Sequence, residues 1–158
     1  MMEESIQLLC YHNWANLKLL NRMKEFPAGT YTKQLNGTFP SISATFNHIF
    51  NIDQQWFKRF NPESLTKTID LKGIEETKEY FLELHDNMKG FIINHYDFLQ
   101  NVQYENSKGE QFQNSIDELI RHITNHGTYH RGNISTMIRQ LGYEGVSTDY
   151  IFFLRLKG

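Results

Sequence analysis

A single cysteine, Cys10, in 158 residues leaves no partner for an internal disulfide, so packing and polar contacts must hold the fold, and a reducing compartment is expected. No run approaches the ~18 apolar residues of a membrane span. The first residues, MMEES, are acidic, and no basic segment precedes an apolar stretch, so the expected location is the cytoplasm. There is no Lys/Arg cluster and the formal charge is −2, which argues against a nucleic-acid surface and gives no support to a membrane surface. Internal repeats and low-complexity segments are also missing, so residues 1–158 read as one domain. That length buries roughly two thirds of its unfolded surface without staples. What the chain has in quantity is aromatic bulk, twelve Phe and eight Tyr, which favours a bulky core over a lined pocket.

Hydrophobic periodicity predicts four long helices. The first runs from Ser5 to about Lys24, with Ile6, Leu9, Cys10, Leu17 and Leu20 as its stripe. Asn13 lies within that stripe as a candidate pocket-lining residue, and His12 projects to the opposite, solvated side. Pro27, Gly29, Gly37 and Pro40 break the pattern over a connection longer than an ordinary helix–helix link, so the first two helices need not be antiparallel neighbours. Ser41 is a suitable N-cap for the second helix, which ends near Phe60 and buries Ile42, Thr45, Ile49, Ile52, Trp56 and Phe60, with His48 at the border of that face. The third spans about Ile74 to Leu99, with Ile74, Phe81, Leu84, Met88, Ile92 and His95 on one stripe and His85 beside it. A polar segment follows, with NSKG as a turn signal and a short hairpin around it. Ser115 and Glu118 form a capping-box pattern for the fourth helix, and Gly142 ends it. The tail after Tyr143, with Asp149 as a cap, is a short helix or turn folded back on the bundle.

The fourth helix carries the chemistry. In DELIRHITNHGTYHRGNISTMIRQL, Leu119, Ile123, Ile134, Met137 and Leu141 share one stripe, while Arg121, Thr124, Thr128, Ser135 and Arg139 lie opposite. His126 and His130 sit four apart within the apolar stripe, which lets two side chains of one helix grip the same ion. Spacing alone is weak, since seven His in a chain of this length give roughly 0.3 such pairs by chance, and His122 with His126 forms another. The facing is the stronger signal: two buried imidazoles cost free energy unless a polar group or a metal meets their nitrogens. Satisfied core histidines are the alternative. His48, His85 and His95 are the candidates for a third ligand.

Three stretches resemble the DinB/YfiT-like family of metalloenzymes: YHNWAN (Tyr11 to Asn16), ATFNHIFNIDQQW (Ala44 to Trp56) and HITNHGTYHRGNI (His122 to Ile134) followed by RQLG. Asn133 stands where the family more often has Gln. The resemblance implies an all-α four-helix bundle of up-down-down-up topology, a homodimer, and a three-histidine metal site that maps onto His48, His126 and His130. It is this likeness that selects His48 over His85 and His95.

Three neutral imidazoles leave a divalent ion with an open position, the pattern of a catalytic site, and zinc or nickel suits nitrogen donors. HGTYH lacks the glutamate of HExxH, so peptide hydrolysis by a zinc-protease mechanism is not expected. The resemblance implies chemistry on a low-molecular-weight thiol co-substrate and a small-molecule partner, as a thiol S-transferase or hydrolase in detoxification. A non-enzymatic metal-binding stress protein of the same fold is the second reading. His122, Tyr129 and Arg131 lie near the motif in sequence but at the edge of the stripe or away from it, and no acid or base is assigned among them.

Overall fold

A computed structural model describes residues 1–157. The fold is all-α: α1 (Met2–Met23), α2 (Ile42–Phe60), α3 (Ile74–His95) and α4 (Ile116–Gln140) are the four long helices, and a short α5 (Tyr150–Leu154) follows. The third helix stops at His95, four residues before the expected Leu99, and Tyr96–Asn101 continues as a tighter 3-10 turn. A hairpin then pairs β1 (Val102–Glu105) with β2 (Gln111–Asn114), with Tyr104 opposite Phe112.

The helix ends are fixed by the groups their sequences offer. Ser41 accepts a hydrogen bond from the Ala44 backbone N–H at 3.1 Å. Ser115 and Glu118 complete the capping box reciprocally, the Ser115 N–H donating to Glu118 Oε2 at 2.9 Å. Gly142, at φ 86°, takes the left-handed conformation just past α4, which a residue without Cβ adopts freely.

Polar contacts show how the helices lie. Ser5 near the start of α1 and Tyr96 just after α3 both donate to the Asp117 carboxylate at the start of α4. At the far end of α1, Lys24 pairs with Glu75 in the first turn of α3 at 2.7 Å. So α1 lies beside α4 in the same sense and beside α3 in the opposite sense. α2 packs on α4 in the opposite sense, with Thr45 near Met137, His48 near His126 and Trp56 near His122. Leu9, Leu19, Phe46, Ile49, Phe81, Met88, Ile123 and Ile134 fill the core between them, and a smaller cluster of Tyr11, Ala15 and Phe153 seats α5 on α1. Among the described residues no helix is long and apolar enough to cross a membrane.

One face differs from its sequence reading. The buried residues of α1 are Ser5, Leu9, Tyr11, His12, Ala15, Asn16, Leu19, Leu20 and Met23, while Ile6, Cys10 and Leu17 are only half-buried. His12, expected in solvent, is 0% exposed. The most hydrophobic residues of α1 do not trace its core face, because a helix that buries His and Asn among Leu and Ala turns its hydrophobicity signal away from that face.

Replacing Ser115 with Ala removes the side-chain acceptor of the Glu118 backbone N–H. It should cost about 1 kcal/mol in denaturant unfolding, with the slope on denaturant unchanged.

Candidate metal centre

His48 lies in the middle of α2, and His126 and His130 face it from successive turns of α4. The antiparallel packing of the two helices brings the three imidazoles together. One potential ligand atom from each lies within 4.8 Å of the others. His48 Nε2 and His126 Nε2 stand 3.1 Å apart, and the His48 and His130 ring centroids are 4.5 Å apart. A tetrahedral zinc ion with Zn–N bonds of about 2.0–2.1 Å separates two ligand nitrogens by about 3.3 Å. The donor set and the spacing therefore fit such an ion.

The surroundings keep the rings neutral. Burial, followed by the neighbouring imidazoles, pushes His126 and His130 down to about 4. Burial also lowers His48, with Asp53 opposing it. Neutral imidazole is the form that binds metal. Phe39 covers one side of the group, its ring centroid 4.6 Å from that of His48 and 5.5 Å from that of His130. His48 and His126 remain half-buried, and among the described residues no Cys, Asp or Glu joins the three within the same distance.

The rival third ligands stand elsewhere. His95 is exposed, with Nδ1 bonded to the Phe91 carbonyl at 2.9 Å. His85 is buried in a separate group with His12 and Asp53. Asn13 is half-buried, and its Oδ1 is buried without a hydrogen-bond partner among the described residues.

Behind the three imidazoles lies a buried polar cluster that sequence reasoning missed. Arg131, only 1% exposed, donates from Nη1 to His12 Nδ1 and to Asn16 Oδ1, each at 3.0 Å, and from Nη2 to Thr128 Oγ1 at 2.9 Å. His12 Nε2 lies 2.8 Å from Asp53 Oδ2, and both side chains are fully buried. Burial pushes Asp53 up to about 7 against the pull of His85, Arg131, His48 and His122, and pushes His85 down to about 3. Thr124, read as outward-facing, is buried on this side as well. Gly127 is what admits His12: a Cβ there would stand 2.1 Å from His12 Cε1 and 2.7 Å from Arg131 Nη1. A glycine between two inward histidines is the available signal, while helical angle sets Arg131 at the edge of the apolar stripe or away from it.

Three imidazoles converging between antiparallel helices of an all-α bundle define a class, helical-bundle proteins able to hold a metal ion. The comparison with known proteins narrows it. The DinB family model matches residues 1–157, and the chain is 34% identical to Protein DinB of Bacillus subtilis (strain 168) over 98% of its own length and 95% of that protein's. This chain belongs to the DinB family.

The metal-free protein should lose stability as pH falls from 6.5 toward 4. His12, His48, His85, His122, His126 and His130 are all lowered by burial. Each therefore takes up its proton first in the unfolded chain, and the stability present above the unfolded value is lost through this window. Asp53 works the other way, its contribution fading as pH rises through about 7, but it is one carboxyl against six imidazoles. A denaturation midpoint that stays level from pH 6.5 to 4 would contradict this reading.

Proposed function

We propose that His48, His126 and His130 hold a divalent transition metal, zinc or nickel, and that the chain is a metal-dependent enzyme acting on a small molecule with a low-molecular-weight thiol or water as nucleophile. The observation that carries the proposal is the convergence of three neutral imidazoles, two of them with Nε2 atoms 3.1 Å apart, on a site with solvent access. Three protein nitrogens leave at least one position for an exogenous ligand, which separates this donor set from a closed structural site. The ion supplies the Lewis acidity that makes a thiol or a water nucleophilic near neutral pH.

The chain's own residues set the limits of the reaction. The three histidines would offer lone pairs to the ion, because burial keeps them unprotonated at neutral pH. Phe39 closes one side of the group to water. The position that carries the general base in HExxH is Gly127, and His12 and Arg131 already fill the space a side chain would need there. Metalloprotease chemistry with a glutamate at that position is therefore sterically closed. Transfer of a thiol to an electrophile needs no such base once the thiol is ionised, so a thiol S-transferase or hydrolase in detoxification is the reading favoured.

The test is elemental analysis of protein purified without an affinity tag or chelator, beside His48→Ala and His130→Ala variants. The proposal expects about one equivalent of transition metal in the wild type, lost from both variants while the far-ultraviolet helical signal persists. The loaded protein should then consume a small thiol in the presence of an alkylating electrophile, faster than either variant. Wild-type protein that neither carries nor takes up zinc or nickel would overturn the proposal. A loaded protein inert toward every thiol and electrophile tried would favour a non-enzymatic metal-binding stress protein.

A further inference from the structure

α1 contributes no imidazole to the three-histidine group, yet its His12 links the two helices that do through buried hydrogen bonds. An arginine guanidinium has donors and no acceptor. Since Arg131 Nη1 donates to His12 Nδ1 at 3.0 Å, that nitrogen is the acceptor, and the proton of the neutral imidazole sits on Nε2. Nε2–H therefore donates to Asp53 Oδ2 at 2.8 Å, and the Asn16 amide nitrogen, 3.3 Å from Nε2, is a contact and not a donor to it. The result is a directed chain, Arg131 to His12 to Asp53, which crosses the core from α4 through α1 to α2. Its ends are short covalent tethers to the candidate ligands. Arg131 follows His130 directly, and Asp53 lies about one and a half turns beyond His48 on the same helix. Gly127, next to His126, lets the His12 ring lie against the α4 backbone.

We infer that His12 is a positioning residue, which through Asp53 and Arg131 sets the separation of α2 and α4 and with it the spacing of His48 from His126 and His130. The inference rests on the metal-binding reading of those three residues. A ligand pair at 3.1 Å has little room before a common ion no longer fits, and outer groups that orient metal ligands commonly change affinity by about 10–100-fold.

The same cluster is arranged against holding an ion of its own. His12 has no free lone pair once Nδ1 accepts from Arg131 and Nε2 carries the proton. Arg131 already balances the single carboxylate, so a divalent ion among His12, Asp53 and His85 would add uncompensated charge to a fully buried place. His85 Nε2 stands 4.0 Å from Asp53 Oδ2, outside hydrogen-bond distance, and neither of its ring nitrogens has a hydrogen-bond partner among the described residues.

The experiment titrates cobalt(II), whose visible absorption reports coordination geometry, into wild-type, His12→Phe, Asp53→Asn and His48→Ala proteins. Tyr31→Phe serves as the control, because it deletes a buried hydrogen bond to Thr77 (3.0 Å) that lies outside the cluster. The inference expects His12→Phe to bind cobalt about tenfold or more weakly and with shifted visible bands. Asp53→Asn, which keeps an acceptor oxygen at the same position, should stay closer to the wild type. Tyr31→Phe should melt earlier with affinity and bands unchanged. If His12→Phe behaves like Tyr31→Phe, less stable but unaltered toward cobalt, the inference is overturned while the metal site stands. A second wild-type equivalent of cobalt that disappears in His85→Ala would also overturn it, by making the cluster an ion site. Cobalt binding that is absent, or unaffected by His48→Ala, removes the metal reading and this inference with it.

Discussion

The structure depends on one buried cation. The Arg131 guanidinium sits in the core with 1% exposure, where an isolated charge would be prohibitive. It is tolerated because His12, Asn16 and Thr128 accept hydrogen bonds from its Nη atoms, Nε alone having no partner among the described residues, and because Asp53 supplies a carboxylate one imidazole away. Those partners come from α1, α2 and α4, so satisfying Arg131 aligns three helices at one level of the bundle. The glycine at 127 follows from the same requirement, since the His12 ring occupies the volume a side chain would take. The three candidate ligands lie on the same stretches of α2 and α4 as this network, and their convergence depends on helices that the buried network holds in register.

Most of the helical framework was legible from local chemistry. Ser41, Ser115 with Glu118, and Gly142 each mark a boundary through a specific hydrogen bond or dihedral angle, and each performs that role in the structure. The inward facing of His126 and His130 was legible because α4 is strongly amphipathic around them. His48 was harder, because at the border of its face it looks no different from a solvated histidine. It was likeness to a family, with no support from periodicity, that separated it from His85 and His95, and the structure brings it together with the α4 pair.

The cluster behind the site was illegible for a physical reason. Helix-face reading assumes that polar side chains mark solvent, and here His12, Asn16, Asp53 and Arg131 are buried and hydrogen-bond one another across up to 119 residues of sequence separation. No pattern within a single helix records a partner on another. The cost was a core face of α1 drawn through Cys10 and Leu17 instead of His12 and Asn16. His12 is also the residue that closes position 127 to a glutamate, so the missed residue is the one that limits the chemistry.

The central claim is that His48, His126 and His130 share one ion, and anomalous diffraction from crystals grown with zinc, collected on both sides of its absorption edge, tests it most directly. The account predicts one strong peak within about 2.0–2.1 Å of a nitrogen from each of the three rings. A peak among His12, Asp53 and His85 instead, or no peak between α2 and α4 in crystals that bind zinc elsewhere, would contradict it.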